Sequence, residues 1–407
     1  MGAGGGTAKK TKPAKPEPMD RRVLLTATRN LKMARSAHAY VRGNTAKFYE
    51  WLNADNGLIV PEGPAIWICG DCHVGNLGPT ASAKGQIDIQ IRDFDQTVIG
   101  NPAHDLIRLG LSLASAARGS DLPGVMTSRM LEQMVVGYEL AFSQAVSDAP
   151  VEKPEIIEMT LESALNRKWK HLAQERIKGV TPAIPLGKSF LPLQNVEREA
   201  IDHLFRSEAA RRLVTSLRSR DDDAAIDVLD AAYWVKGCSS LGNLRYAVLV
   251  RVGGARGELS LMDIKQAVKA VAPHDGKAVM PKDNGERIVR GAWHLSPALG
   301  DRMMAAELLG TSVFVRELLP QDLKFEFERL TQDEATKTAK FLAMVVGKAH
   351  ARQMDEGAKR GWQKALQLNR SKTLDAPNWL WSSVVELLAN HEKSYLEHCR
   401  KYAMAMD

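Results

Sequence analysis

The sequence predicts an α+β fold in two lobes, a large helical one and a small β-rich one. Three observations lead there. Residues 21–218 are dominated by apolar positions at helical spacing. From about 230 to 320 the texture changes to short apolar runs separated by glycine-rich turns, and helical periodicity returns from Thr331 onward. A chain of 407 residues, 44% hydrophobic and 25% charged, can bury cores of this size. The predicted division is a disordered basic tail over 1–20, a helical lobe over 21–224, a β-rich lobe over 225–320 and a helical return over 321–407.

Taken in order, residues 21–55 read as helical and run to a turn at Asn56-Gly57. "PAIWIC" is a short apolar strand. "GQIDIQIRDFD" alternates Ile87, Ile89 and Ile91 with polar residues, the pattern of a half-buried strand. Gly100-Asn101-Pro102 punctuates, and Leu106, Leu109 and Leu113 mark the helix that follows. A further helix near 125–146 places Leu131, Val135, Tyr138 and Phe142 on one face. Residues 155–178 and 194–218 also read as helical, the second entering the charged linker "RDDDA". "YWVKGCSSLGNLRYAVLVRVGGARGELSLMDIKQA" then reads as strand, Gly/Ser turn, strand, Gly-rich hairpin and strand. A helix starts at Asn284, "SVFVRELL" is a strand, and "ATKTAKFLAMVVGKAHARQ" and "WLWSSVVELLANHEKSYLEHCRKYA" are helices. No internal repeat is visible.

The net charge of +7 and pI near 9.1 invite a nucleic-acid reading. More than half of that excess, however, is Lys9, Lys10, Lys12 and Lys15 in "MGAGGGTAKKTKPAKP", a leader too rich in Gly, Pro and Lys to bury an apolar face. Weak contact of this tail with polyanions is the most it implies, and no specific nucleic-acid partner is expected. Four scattered cysteines do not make a disulfide framework. Their scarcity points to a reducing cytoplasm as the expected location, and with no apolar run of membrane-spanning length no membrane partner is expected.

"WICGDCHVGNLGP" supports two chemistries. Cys69 and Cys72 form a CxxC, as in a dithiol centre or half a zinc site. A redox CxxC opens a helix, though, and here Gly75, Gly78 and Pro79 predict a loop; a zinc site needs a second ligand pair that the chain does not offer. The competing set is Asp71, His73 and Asn76 in GDxHxxN. Phosphoryl transfer needs a carboxylate to orient the attacking hydroxyl and oxygen ligands for magnesium. Asp71 can be the first, Asn76 can ligate a metal, and Asp93, with Asp95 beside it, follows at a strand end. Asp105, just after Pro102, is expected to cap backbone N–H groups rather than react.

Downstream, "GCSSLG" places Gly237, Ser239, Ser240 and Gly242 between two strands, as a phosphate-covering loop or a plain hairpin turn. Lys265 lies inside an apolar strand, where an unpaired ammonium is costly. It is either a phosphate contact oriented by a carboxylate, with Glu286 the best placed by spacing, or an edge residue that snorkels. Arg42 and Arg316 can contact anions or pair with buried carboxylates.

GDxHxxN, then DFD, then GNPxxDL resembles the catalytic and metal loops of aminoglycoside and choline kinases. More broadly, "KMARSAHAYVRG", "GDCHVGN", "IRDFDQTVIGNPAHDLIRLGLSLA", "GCSSLGNLRY", "MDIKQA", "NGERIVRG" and "FVREL" resemble the bacterial domain of unknown function 2252 family over most of residues 30–352. The resemblance implies a protein-kinase-like two-lobe fold in circularly permuted order, the catalytic loop preceding the lysine strand. It implies ATP and Mg2+ between the lobes: Asp71 and His73 in the catalytic loop, His73 as a brace; Asn76, Asp93 and Asp95 as metal ligands; and Gly237, Ser239, Ser240, Gly242, Lys265 and Glu286 around the phosphates. "FVRELLP", with Glu317, then falls where the adenine-binding hinge belongs. The implied activity is ATP-dependent phosphotransfer to a hydroxyl of an unidentified, small acceptor. Nucleotidyl transfer from the same site and a nucleotide-binding pseudokinase scaffold remain as alternatives. The family pattern is richer in glycine than "GCSSLG", and the segment after Gln353 does not share it.

Overall fold

A computed structural model of the chain describes residues 18–54, 60–120, 122–143, 153–166, 183–217, 220–238, 240–319, 331–367 and 376–402. The chain is α+β, and all the paired strands among the described residues are antiparallel. The tail before Pro18, the Asn56-Gly57 turn and Ser239 lie outside the described residues. Among the described residues no helix is long and apolar enough to cross a membrane.

Three helices open the chain: α1 (Pro18–Met33), α2 (Ala37–Gly43) and α3 (Thr45–Leu52). The single predicted helical run breaks because Ser36 and Asn44 each accept a backbone N–H of the next helix, Ala39 and Lys47 respectively. Two small ladders follow. β1 (Ile66–Ile68) pairs with β4 (Val98–Gly100), and β2 (Leu77–Ala81) pairs with β3 (Ile87–Ile91). The β2 strand corrects the expectation of a loop at Gly78 and Pro79. Among the described residues the pair has no further strand beside it, so Pro79 can sit where its missing N–H costs nothing.

The helical lobe gathers α4 (Ala103–Gly119), α5 (Gly124–Leu140) and α6 (Glu155–Asn166) with three helices from the end of the chain. In chain order these are α11 (Gln332–Ala351), α12 (Glu356–Leu366) and α13 (Asn378–Tyr402). The α5–α11 contact is close because two glycines remove side chains from it. A Cβ at Gly137 would overlap the Lys340 carbonyl, and one at Gly347 would lie 2.8 Å from the Tyr138 carbonyl oxygen.

The second lobe is a six-stranded sheet in the order β5-β6-β7-β8-β10-β9. Its strands are β5 (Phe190–Leu191), β6 (Ile226–Trp234), β7 (Arg245–Val252), β8 (Glu258–Gln266), β9 (Met303–Leu308) and β10 (Thr311–Leu318). Helices α9 (Asn284–Leu295) and α10 (Pro297–Gly300) lie between β8 and β9. One sheet face carries Tyr246, Val248, Met262, Ile264, Val313 and Val315 against α7 (Asn195–Phe205) and α8 (Glu208–Val214). The predicted helix over 194–218 is therefore two helices, split where Ser207 caps the second. Both belong with the sheet, as does β5, so this lobe begins near residue 183 rather than 225. Helical spacing reports that a face is buried and not which lobe buries it. The opposite face is apolar at one end, with Trp234, Ala247, Leu249 and Leu261, and ionic at the other. That ionic end meets the helical lobe.

Candidate active site

The loop after β1 is fixed from behind by Asp105 in the first turn of α4. Asp105 Oδ2 accepts the Cys69 N–H at 2.7 Å, and Oδ1 accepts the Gly70 N–H at 2.9 Å. It thus caps backbone groups of the loop and not of its own helix. His350 of α11 reaches Asp105 Oδ2 through Nε2 at 3.2 Å, and its Nδ1 lies 2.8 Å from the Tyr138 hydroxyl, which also accepts from Trp362 Nε1. All members of this chain are buried. Gly70 needs its positive φ of 73°, and Tyr49 donates its hydroxyl to the Gly70 carbonyl at 2.5 Å.

Asp71 is held by Arg108, whose Nε donates to Oδ1 at 2.8 Å while Nη2 donates to the Val41 carbonyl. Arg108 is fully buried, so this ion pair is shielded from water. His73 caps the short turn Val74–Asn76: Nδ1 accepts the Gly75 N–H at 3.1 Å, which puts any ring proton of the neutral imidazole on Nε2. Burial, with Arg42 and Arg108 nearby, holds the imidazole well below its usual pKa and so neutral. Its Nε2 is 3.9 Å from Asp71 Oδ2, beyond hydrogen-bond range. Asn76 donates Nδ2 to the Asp71 carbonyl at 2.9 Å, which turns its amide oxygen away as an available ligand.

From the sheet side, Lys265 on β8 enters between two carboxylates. Its Nζ lies 3.5 Å from Asp93 Oδ1 and in direct contact with Asp95 Oδ2. The register explains its direction: Lys265 pairs with Arg245 of β7 and with Phe314 of β10, and Asp263, two residues earlier, faces the same way. Asp263 is fully buried and bidentate with Arg245, at 2.8 and 2.6 Å, and accepts from Arg316 Nε at 3.1 Å. Burial alone would raise the Asp263 carboxyl; the two arginines hold it well below the usual range. In the same way burial acts against the Asp93 charge, and Lys265, Arg316 and Arg245 keep it ionised. Asp95 is pushed up to about 6 by burial and by the neighbouring Asp93 charge.

Asp71, Asn76, Asp93 and Asp95 line one cleft together with Thr45, Gln96, Ser240 and Asn243. Ser240 belongs to the β6–β7 turn, where Gly237 and Gly242 have φ of 93° and 99°. Two other residues expected there are elsewhere. Glu286 is exposed in the first turn of α9 and does not reach Lys265, whose carboxylate partners are Asp93 and Asp95. Arg287 turns inward in its place, donating to the carbonyls of Thr97, Asp95 and Val268 and tying α9 to the segment that carries Asp93 and Asp95. Glu317 projects from the other sheet face, buried against Arg220 at 2.8 Å and the Ser260 hydroxyl at 2.7 Å, so only backbone near it could meet a base. Of the two arginines with open roles, Arg316 pairs with Asp263.

Cys69, Cys72 and Asp105 present ligand atoms within 4.8 Å of one another. The Asp105 oxygens are already committed to two N–H groups and His350, which leaves two thiols and no tetrahedral set. A hydrogen bond to Cys72 and burial push the Cys69 thiol well up, away from the thiolate that metal binding or redox chemistry needs.

Arg108, Arg245, Asp263 and Arg287 were not singled out in the sequence. An ionised residue in an apolar strand needs a partner, and Arg245 and Asp263 meet that condition as Lys265 does, which is the signal in the sequence that finds them. No curated protein and no solved structure matches the chain. Residues 21–401 match the family model described as "Uncharacterized protein conserved in bacteria (DUF2252)", and the chain belongs to that family.

Proposed function

We propose that the protein is an ATP- and magnesium-dependent phosphotransferase with a circularly permuted, kinase-like arrangement of its two lobes. The observation that carries this reading is the meeting of Lys265 with Asp93 and Asp95, about 170 residues apart in sequence, in the same cleft as Asp71 and Asn76. The order along the small lobe is consistent with it: a glycine-bearing turn, a lysine strand, a helix, and a strand leading toward the hinge position.

The donor set suits Mg2+. Two carboxylates and an amide oxygen are hard ligands, and the two carboxylates take the Lys265 ammonium as counter-charge. Asn76, Asp93 and Asp95 would hold the ion, which supplies charge neutralisation on the donor phosphates. Lys265 would exchange its carboxylate contacts for phosphate oxygens. Asp71, its carboxylate aimed by Arg108, would accept the acceptor's hydroxyl proton and pass it to solvent. The acceptor oxygen forms a bond to Pγ as the bond from Pγ to the bridging oxygen breaks, and ADP leaves.

The cleft has about 50 Å³ of free space, far below the ~300–1,000 Å³ of ligand sites, so nucleotide binding requires its lining groups, Lys265 first, to move. The test is a melting experiment with ATP and ADP, each with and without magnesium, followed by product mass determination on a metabolite panel. ATP at about a hundredfold excess over its Kd should add ~2.7 kcal/mol of stability. No shift with either nucleotide defeats the reading. A product heavier by AMP rather than phosphate converts it to nucleotidyl transfer.

A further inference from the structure

Around Asp71 and Arg108, several buried polar atoms have no hydrogen-bond partner among the described residues: Arg42 Nε, Arg108 Nη1, Thr45 Oγ1 and His38 Nδ1. Arg108 already spends its Nε on Asp71 and its Nη2 on Val41. No hydrogen bond or ion pair joins the Arg42 guanidinium to any described residue. It lies against the loop after β1 at Gly75, where a Cβ would stand 2.6 Å from Nη2 and 2.8 Å from Cζ, so the glycine makes room for it. Arg42 is half-buried: its Nε is shut from water without an acceptor, which is costly for a group that stays charged.

The surroundings add positive charge. From Arg29 to Arg42 the chain carries Arg29, Lys32, Arg35 and Arg42 and no acidic residue. Lys32, Arg42 and Arg29 all lie near Cys238 of the β6–β7 turn, whose Ser240 and Asn243 line the cleft. The one carboxylate that acts on Arg42 is Asp71, and Arg108 already shares its charge. Thr45 lines the cleft with Asp71 and Asn76, so this cationic ground is continuous with the place where a hydroxyl would meet Asp71.

We propose that the acceptor is an anion, and that Arg42, with Thr45 and the spare Arg108 N–H, holds its carboxylate or phosphate while Asp71 meets its hydroxyl. This rests on the phosphotransfer reading for the word acceptor, and not for the anion site itself. Lys265 serves the donor phosphates from the sheet side; Arg42 serves the second substrate from the α2 side.

The experiment is calorimetric titration of the full chain with inorganic phosphate and, separately, with L-malate, a hydroxy-carboxylate. Binding of either should weaken roughly tenfold or more in Arg42→Gln, recover in part in Arg42→Lys and persist in Lys265→Ala. Gly75→Ala, which keeps the charge but displaces the guanidinium, should weaken it too and stands in if Arg42→Gln does not fold. Anion binding lost in Lys265→Ala and kept in Arg42→Gln overturns the proposal, as does no binding of either anion. The ATP melting shift, read on the same variants, separates the two ideas: anion binding through Arg42 with no ATP shift in wild type upholds the anion site and removes the phosphotransfer reading.

Discussion

Asp263 shows how much of this cleft is settled by single charges. Its carboxylate is buried between Arg245 and Arg316, and it orients the Arg245 side chain beside Lys265 on the same sheet face. Removing one partner from a buried ion pair strands the others, so Asp263→Asn should cost about 3–5 kcal/mol in urea denaturation. The pH dependence has a definite sign. A carboxyl whose folded pKa is depressed contributes stability above its unfolded pKa, about 3.9, and loses it as pH falls toward the folded value. Wild type should therefore lose this part of its stability in acid below about pH 4, and Asp263→Asn should show a flatter acid limb. Equal acid limbs in the two proteins would refute the assignment.

At the scale of elements, the loop after β1 depends on α4 and α11 more than on its own sequence. Asp105 accepts two loop N–H groups and a histidine contact, and an asparagine offers only one oxygen for them. Asp105→Asn should destabilise by about 1–3 kcal/mol and speed hydrogen exchange at Cys69 or Gly70, amides that should otherwise exchange slowly. If exchange at both stays at the wild-type rate, the loop is held some other way. The α5–α11 pair makes a separate demand. Gly137→Ala must push its helix off the Lys340 carbonyl, an overpacking worth about 1–3 kcal/mol, read as a lowered melting temperature with exchange in the loop after β1 unchanged.

Across the whole molecule, the lobes are joined at the cleft by Lys265 with Asp93 and Asp95, and by Arg287 with the carbonyls of residues 95–97. Asp93 and Lys265 should therefore couple. In a double-mutant cycle of Asp93→Asn and Lys265→Ala, the effects on ATP-magnesium affinity should be non-additive by about 0.5–3 kcal/mol. Lys265→Ala should weaken ATP without metal as well, whereas Asp93→Asn should act chiefly on the magnesium-dependent part. Strict additivity would mean that the two side chains do not serve one ligand.

Local pattern was enough for much of this. The period of 3.6 against 2 separated a helical from a β-rich part, and the spelling GDxHxxN with DFD marked Asp71, Asn76, Asp93 and Asp95, which the structure gathers in one cleft. Desolvation cost alone flagged Lys265 as needing an anionic partner. What the pattern could not supply was which one: spacing favoured Glu286, yet the α9 register exposes it and turns Arg287 inward. Strand parity likewise placed Glu317 in a promising segment while leaving open which face it takes, and the β10–β8 register sends it to Arg220. The lobe to which residues 183–217 belong, the anchoring of the loop by Asp105 and His350, and the unpaired Arg42 all depend on contacts between residues distant in sequence. The amino-acid sequence by itself determined which side chains carry charge and which faces must be buried. Only the tertiary structure decided which charges meet, because pairing depends on where separate elements dock and that is absent from any local period.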